Sequence, residues 1–76
     1  MAEELDVVAI KKARPDLGLP AGARGTIVMM FDNEAYEVEF VNEDGTTQAM
    51  GTFLVDEVEV VWRVADMHAA RSRAAN

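Results

Sequence analysis

The run from Gly18 to Gly45 constrains this 76-residue chain more than any other stretch. It begins with Gly18-Leu-Pro-Ala-Gly22-Ala-Arg24-Gly25, continues through Thr26-Ile-Val-Met-Met-Phe31, and breaks at Asp32-Asn33-Glu34. It resumes with Ala35-Tyr-Glu-Val-Glu-Phe-Val41 and closes on Asn42-Glu-Asp-Gly45. This is a loop, a strand, a turn, a second strand and a hairpin turn in succession. Tyr36, Val38 and Phe40 alternate with Glu37 and Glu39, so one face of that strand points inward and the other meets water. Asp-Gly is among the strongest short hairpin signals. Gly25 opens the strand Arg24 to Phe31, where a close backbone approach or an unusual φ calls for glycine.

The flanks extend the same pattern. Leu5 to Ile10 is apolar and β-branched, a first strand. Lys11, Lys12 and Arg14 follow, and Pro15, Gly18, Pro20 and Gly22 mark an irregular loop. Thr46 to Phe53 is a fourth strand, with Gly51 expected at a bulge or corner. Leu54 to Glu57 reads as a turn or 3₁₀ segment. Glu57 to Trp62 is a fifth strand, with Val58, Val60 and Trp62 on one face. Five short strands in one domain predict an all-β fold, a small five-stranded SH3-like barrel, with an OB-type barrel as the second choice. The barrel is assigned to residues 1–62. Residues 63–76 form a tail that is either a short helix or disordered, since Val64, Met67, His68 and Arg71 fall at helical spacing but so short a helix needs something to pack on.

Charge and composition narrow the function. The chain carries a net charge of −7; residues 1–62 hold −9 of it and residues 63–76 offset it by +2. An acidic body repels phosphate backbones and favours basic partners. Lys11, Lys12, Arg14 and Arg24 converge around the first loop, yet stacking on nucleic acid needs exposed aromatics amid positive charge, and the aromatics mostly occupy inward positions. A nucleic-acid-binding barrel is therefore disfavoured. There are no cysteines, which excludes disulfides and thiolate metal sites. No run approaches membrane-spanning length and the N-terminus lacks a basic segment followed by an apolar one, so a cytoplasmic location is expected.

Catalytic chemistry has little to work with. The single histidine, His68, and the single serine, Ser72, both lie in the tail, which offers no third group to hold them in place. Asp32-Asn33-Glu34 and Asn42-Glu43-Asp44-Gly45 are rich in oxygen but lack the spaced acids of a calcium loop and read as turn chemistry. No catalytic residue, cofactor site or metal site is expected, and the chain is read as no enzyme. Glu37 and Glu39 lie on one strand face and Glu57 and Glu59 on another; were these strands neighbours, the four carboxylates would form one acidic patch. Met29 and Met30 are adjacent, so one of them faces outward, and methionine makes adaptable contact surfaces. Val61 and Trp62 stand where the tail begins, and tryptophan is a frequent interface anchor.

Leu5-Asp-Val-Val8, the Gly18-Leu19, Gly22 and Gly25-Thr-Ile-Val28 block, and Ala35 to Gly45 together resemble a small bacterial family called domain of unknown function 4926. The resemblance covers residues 4–60, and its most specific part is Tyr36-Glu-Val-Glu-Phe40. It implies an SH3-like fold and no known activity, so it supplies no functional residues. The expected function is that of a non-enzymatic interaction module that binds another protein, or itself, through an acidic strand face or a sheet edge. The candidate surface is Met29, Glu37, Glu39 and Trp62. An accessory subunit of an enzyme complex and a homo-oligomeric structural protein are the alternatives.

Overall fold

A computed structural model describes residues 2–32 and 34–65. It is all-β, a single antiparallel sheet of β1 (Val7–Ile10), β2 (Arg24–Phe31), β3 (Ala35–Val41), β4 (Thr47–Leu54) and β5 (Val58–Trp62). The spatial order is β4-β3-β2-β1-β5. Two short 3₁₀ turns, Pro15–Leu17 and Val55–Glu57, lie in the connections. In the second, the Leu54 N–H donates to Glu57 Oε1 at 2.7 Å, so a side chain of the turn satisfies the backbone that enters it.

The five expected strands form one antiparallel sheet, and that sheet is not closed. β4 pairs with β3 and β5 pairs with β1, and among the described residues no ladder joins β4 to β5. The sheet nevertheless encloses one core. Val8, Ile10, Ile27, Val38, Phe40, Phe53 and Val58, drawn from all five strands, pack in one cluster with Tyr36 and Leu19. Apolar burial on one concave side holds the strands together where hydrogen bonds do not close the cylinder. Phe40 and Phe53 meet edge to face, with centroids 5.7 Å apart.

The loop after β1 is more ordered than its prolines and glycines suggest. Arg14 and Leu19 exchange backbone hydrogen bonds of 2.8 and 3.0 Å, and the Gly22 N–H donates to Ile10 O at 2.8 Å. This small closed loop drops Leu19 into the core and lays Leu17 over β4. There the absence of a side chain at Gly51 matters: a Cβ would lie 2.8 Å from Leu17 Cδ1. Gly51 is thus a site of close approach and not the expected bulge, because it stays in register with Val38.

The bulges lie elsewhere, between Ile27 and Met29, between Phe40 and Val41, and between Val7 and Val8. Strand β1 also starts later than expected. Leu5 is exposed at φ +74°, which ends the extended run, and β1 begins at Val7.

Candidate functional site: the outward face of the sheet

The bulge in β2 decides what the outer surface is made of. Ile27 stands opposite Val38 and points into the core, while Met29 stands opposite Glu37. Val28 is the extra residue, so the in-out alternation reverses after Ile27. Met29 therefore faces solvent and is 52% exposed, Met30 turns toward the core, and Phe31 faces solvent again. Strict alternation from Ile27 would have placed Met29 and Phe31 inside and Met30 outside.

Strand β4 supplies more apolar surface to the same side. Residues directly opposite each other in a ladder share a face. Ala35 links Phe31 to Leu54, Glu37 links Met29 to Thr52, and Glu39 links Thr26 to Met50. Met29, Phe31, Met50 and Leu54 are all exposed large apolar side chains. They flank the two glutamates that run down the middle of β3. Each glutamate is held sideways by a β4 hydroxyl: Thr52 Oγ1 donates to Glu37 Oε1 at 3.0 Å and Thr47 Oγ1 donates to Glu39 Oε2 at 2.6 Å. The result is an apolar surface with a central acidic stripe, fixed on paired strands.

Of the four residues singled out from the sequence, Met29 and Glu37 are direct cross-strand neighbours, and Glu39 lies one outward step along β3. Trp62 belongs to the same face but not to the same patch. It pairs with Val7, Val7 with Thr26, and Thr26 with Glu39. That places three strand spacings, about 14 Å, between Trp62 and Glu39. Trp62 is 42% exposed and does not share the inward face of Val58 and Val60, because the bulge between Val7 and Val8 leaves Val61 as the extra residue.

The acidic patch of four carboxylates does not form. Glu59 pairs with Ala9, which pairs with Arg24, so a cation stands between the two acidic strands; the Glu57 carboxylate is engaged by Leu54. The expected helix or disorder of the tail lies outside the described residues beyond Ala65. Val64 and Ala65 themselves are helical.

One buried group went unnoticed in the sequence. Asp6 is 1% exposed, and its two carboxylate oxygens take different partners. Oδ2 accepts from the Glu3 N–H and Oδ1 from the Val64 N–H, both at 2.9 Å. It joins the segment entering β1 to the segment leaving β5. The signal available was the alternation itself, since Asp6 is in phase with Val8 and Ile10.

A cleft of about 230 Å³ lies between the loop after β1 and the second 3₁₀ turn, lined by Lys11, Lys12, Arg14, Phe53, Asp56 and Glu57. Three of the four cations expected to converge there do so; Arg24 is elsewhere, opposite Ala9. Arg14 is committed within the protein. Its Nε and one terminal nitrogen donate to the two Asp16 oxygens at 3.0 and 2.9 Å, and its guanidinium lies 4.9 Å over the Phe53 ring. The Asp16 hydrogen bond holds Arg14 above the ordinary arginine value and Asp16 below the ordinary carboxylate range. The cleft lining sets three cations and two carboxylates around one aromatic ring. Its form is that of a cation covering the aromatic edge of an open sheet.

Residues 4–60 match the model of the Domain of unknown function (DUF4926). The chain belongs to that family. The match spans all of β1 to β4 and ends at Val60 within β5, so it covers the outward face while leaving Trp62 beyond it. No curated protein and no solved structure matches the chain. Among the described residues no cluster of His, Asp or Glu is arranged to hold a metal ion, and no helix is long and apolar enough to cross a membrane.

Proposed function

We propose that this DUF4926 chain is a non-enzymatic interaction module that docks a protein through the outward face of β2, β3 and β4. One observation carries the reading: Met29, Phe31, Met50 and Leu54 are exposed together around Glu37 and Glu39, on the side of the sheet away from the core. Isolated exposed apolar residues are ordinary, but several on one sheet face mark an interaction surface. The acidic stripe favours a partner with basic groups set among apolar ones, because charge complementarity steers encounter and the apolar rim supplies buried area. Action as an accessory subunit of a larger complex falls within the same reading, and a cytoplasmic setting belongs to it.

The test is affinity capture from the source cell by the intact protein, at low and moderate salt, comparing wild type with M29K, E37K and, as a control off the patch, E59K. A partner retained by wild type and E59K but lost with M29K and E37K supports the proposal. The same set of retained proteins for all four, or none that depends on the patch, overturns it.

A further inference from the structure

Strands β2 and β4 carry Met29, Met30 and Met50, and the bulge in β2 sorts them. Met29 is 52% exposed and Met50 46%, both on the outward face, whereas Met30, next in sequence to Met29, packs against the core cluster. Met29 stands opposite Glu37 and Met50 opposite Glu39, so a thioether flanks the acidic stripe on each side. The Glu37 carboxylate is drawn to the Thr52 hydroxyl on β4, on the side of β3 away from Met29, and the Glu39 carboxylate to the Thr47 hydroxyl, three residues before Met50. About half of each outward methionine is thus left to solvent. The chain has no cysteine, so no thiol competes with these thioethers for an oxidant.

We infer that Met29 and Met50 are sites of reversible oxidation by peroxide, and that their sulfoxides turn the outward face from apolar to polar while the fold stands. In each step the peroxide O–O bond breaks and an S–O bond forms. The thioether sulfur gives up two electrons, and the peroxide leaves as water. A dithiol-dependent sulfoxide reductase reverses the step, releasing the oxygen as water and leaving a disulfide on the reductant. The consequence for docking rests on the interaction-module reading.

Position is what makes the change one of surface alone. Neither Met29 nor Met50 belongs to the core cluster, so oxidising them takes nothing from the inner face, whereas an oxygen on Met30 would be pressed against it. A sulfoxide oxygen accepts hydrogen bonds, and covering it costs free energy unless a donor meets it. The β4 hydroxyls on either side of Met50, Thr47 and Thr52, already donate to Glu39 and Glu37, and the carboxylates opposite both methionines only accept. Each new oxygen therefore takes its hydrogen bonds from water, which a docking partner must strip away. Of the four apolar groups around the stripe, only Phe31 and Leu54 then keep their character.

The experiment exposes the full chain to graded hydrogen peroxide and maps the oxidised peptides by mass spectrometry. Met29 and Met50 are expected to take up oxygen about fivefold or more faster than Met30. Hydrophobic-interaction chromatography and urea denaturation then follow wild type beside M29L/M50L, which keeps the face apolar but removes both sulfurs. Peroxide should make wild type elute earlier with its urea midpoint unchanged, and should shift M29L/M50L far less. Sulfoxide reductase with a dithiol should return wild type to its starting position. Met30 reacting as fast as Met29, equal loss of retention in both chains, or a wild-type midpoint that falls together with retention overturns the inference. Docking is read by repeating the capture with peroxide-treated wild type, where the retained partner should drop about tenfold or more, and undiminished retention overturns the docking consequence. Mapping and chromatography need no partner, so a face that oxidises in this way on a chain that captures nothing refutes the docking reading and not the oxidation sites.

Discussion

The two faces of β3 differ by one residue of phase and by almost everything else. On the inner face Tyr36, Val38 and Phe40 are buried against all five strands. On the outer face Glu37 and Glu39 lie among Met29, Phe31, Met50 and Leu54, which are as apolar as the core but exposed. Apolar character therefore does not separate the faces. What separates them is enclosure: the sheet curls toward one side, and only residues on that side gain neighbours on every flank. The same methionine or phenylalanine stabilises the fold on one face and is free to meet a partner on the other.

The largest effect should come from breaking the inner face. Phe40→Ala removes a ring packed edge-on to Phe53 and is expected to cost about 3–5 kcal/mol, a large share of the stability of a domain whose total is about 5–10 kcal/mol. Met29→Ala on the outer face should stay within about 0.5 kcal/mol. Urea denaturation of both variants checks the contrast; equal losses would mean that the outer face is also packed.

Asp6 comes next, because it ties the segment entering β1 to the segment leaving β5. Asp6→Ala strands the Glu3 and Val64 N–H groups and should cost about 2 kcal/mol or more. Asp6→Asn keeps one carbonyl acceptor but presents an NH₂ to the other donor, so its loss should be intermediate. Amide exchange at Glu3 and Val64 should quicken in both variants, and unchanged protection there would contradict the clamp.

Gly25 sharpens the comparison from the backbone side. A Cβ at this position would fall 2.6 Å from Val38 Cγ1 and 2.8 Å from two Phe40 ring atoms. Gly25→Ala should destabilise by about 1–3 kcal/mol through overpacking of the inner face. A thermal melt shifted by less than a degree or two would show that the core yields there.

The smallest effect is a pH dependence confined to exposed turns. Asp16 is held below the ordinary carboxylate range mainly by the Arg14 hydrogen bond, and Asp44 mainly by the Thr46 hydroxyl and then its N–H. A carboxylate with a lowered folded value binds fewer protons when folded than when unfolded. Its contribution is complete above the unfolded value near 3.8 and disappears as pH falls through the lowered folded value. Stability should thus decline slightly on the acid side of that range, and Asp44→Ala should flatten part of the slope in denaturation at stepped pH. Both groups are fully exposed, so an effect comparable with that of Phe40→Ala would require another source.

Much of this was legible in the chain. Alternation of Tyr36, Val38 and Phe40 with Glu37 and Glu39 fixes the phase of β3, and β2 begins and ends where its composition says. The Asn42-Glu-Asp-Gly turn is equally local. Thr46 donates to Asp44 through both its N–H and its hydroxyl, at 3.0 and 2.6 Å, so four or five adjacent residues specify the geometry. The outward direction of Met29 was not legible, since one extra residue at Val28 reverses the phase of everything after it, and a bulge leaves no local composition to read. The same holds for Trp62, whose face is reversed by the extra Val61.

By itself, then, the sequence determined the strands, their turns, the inward set on β3 and the family, because each depends on neighbours within a few positions. Only the tertiary structure decided that the sheet stays open, that Asp6 is buried between segments 58 residues apart, and that four apolar side chains gather around Glu37 and Glu39. These outcomes depend on register between strands. Register is set by the packing of a shared core and by where single extra residues are absorbed, which no strand specifies alone.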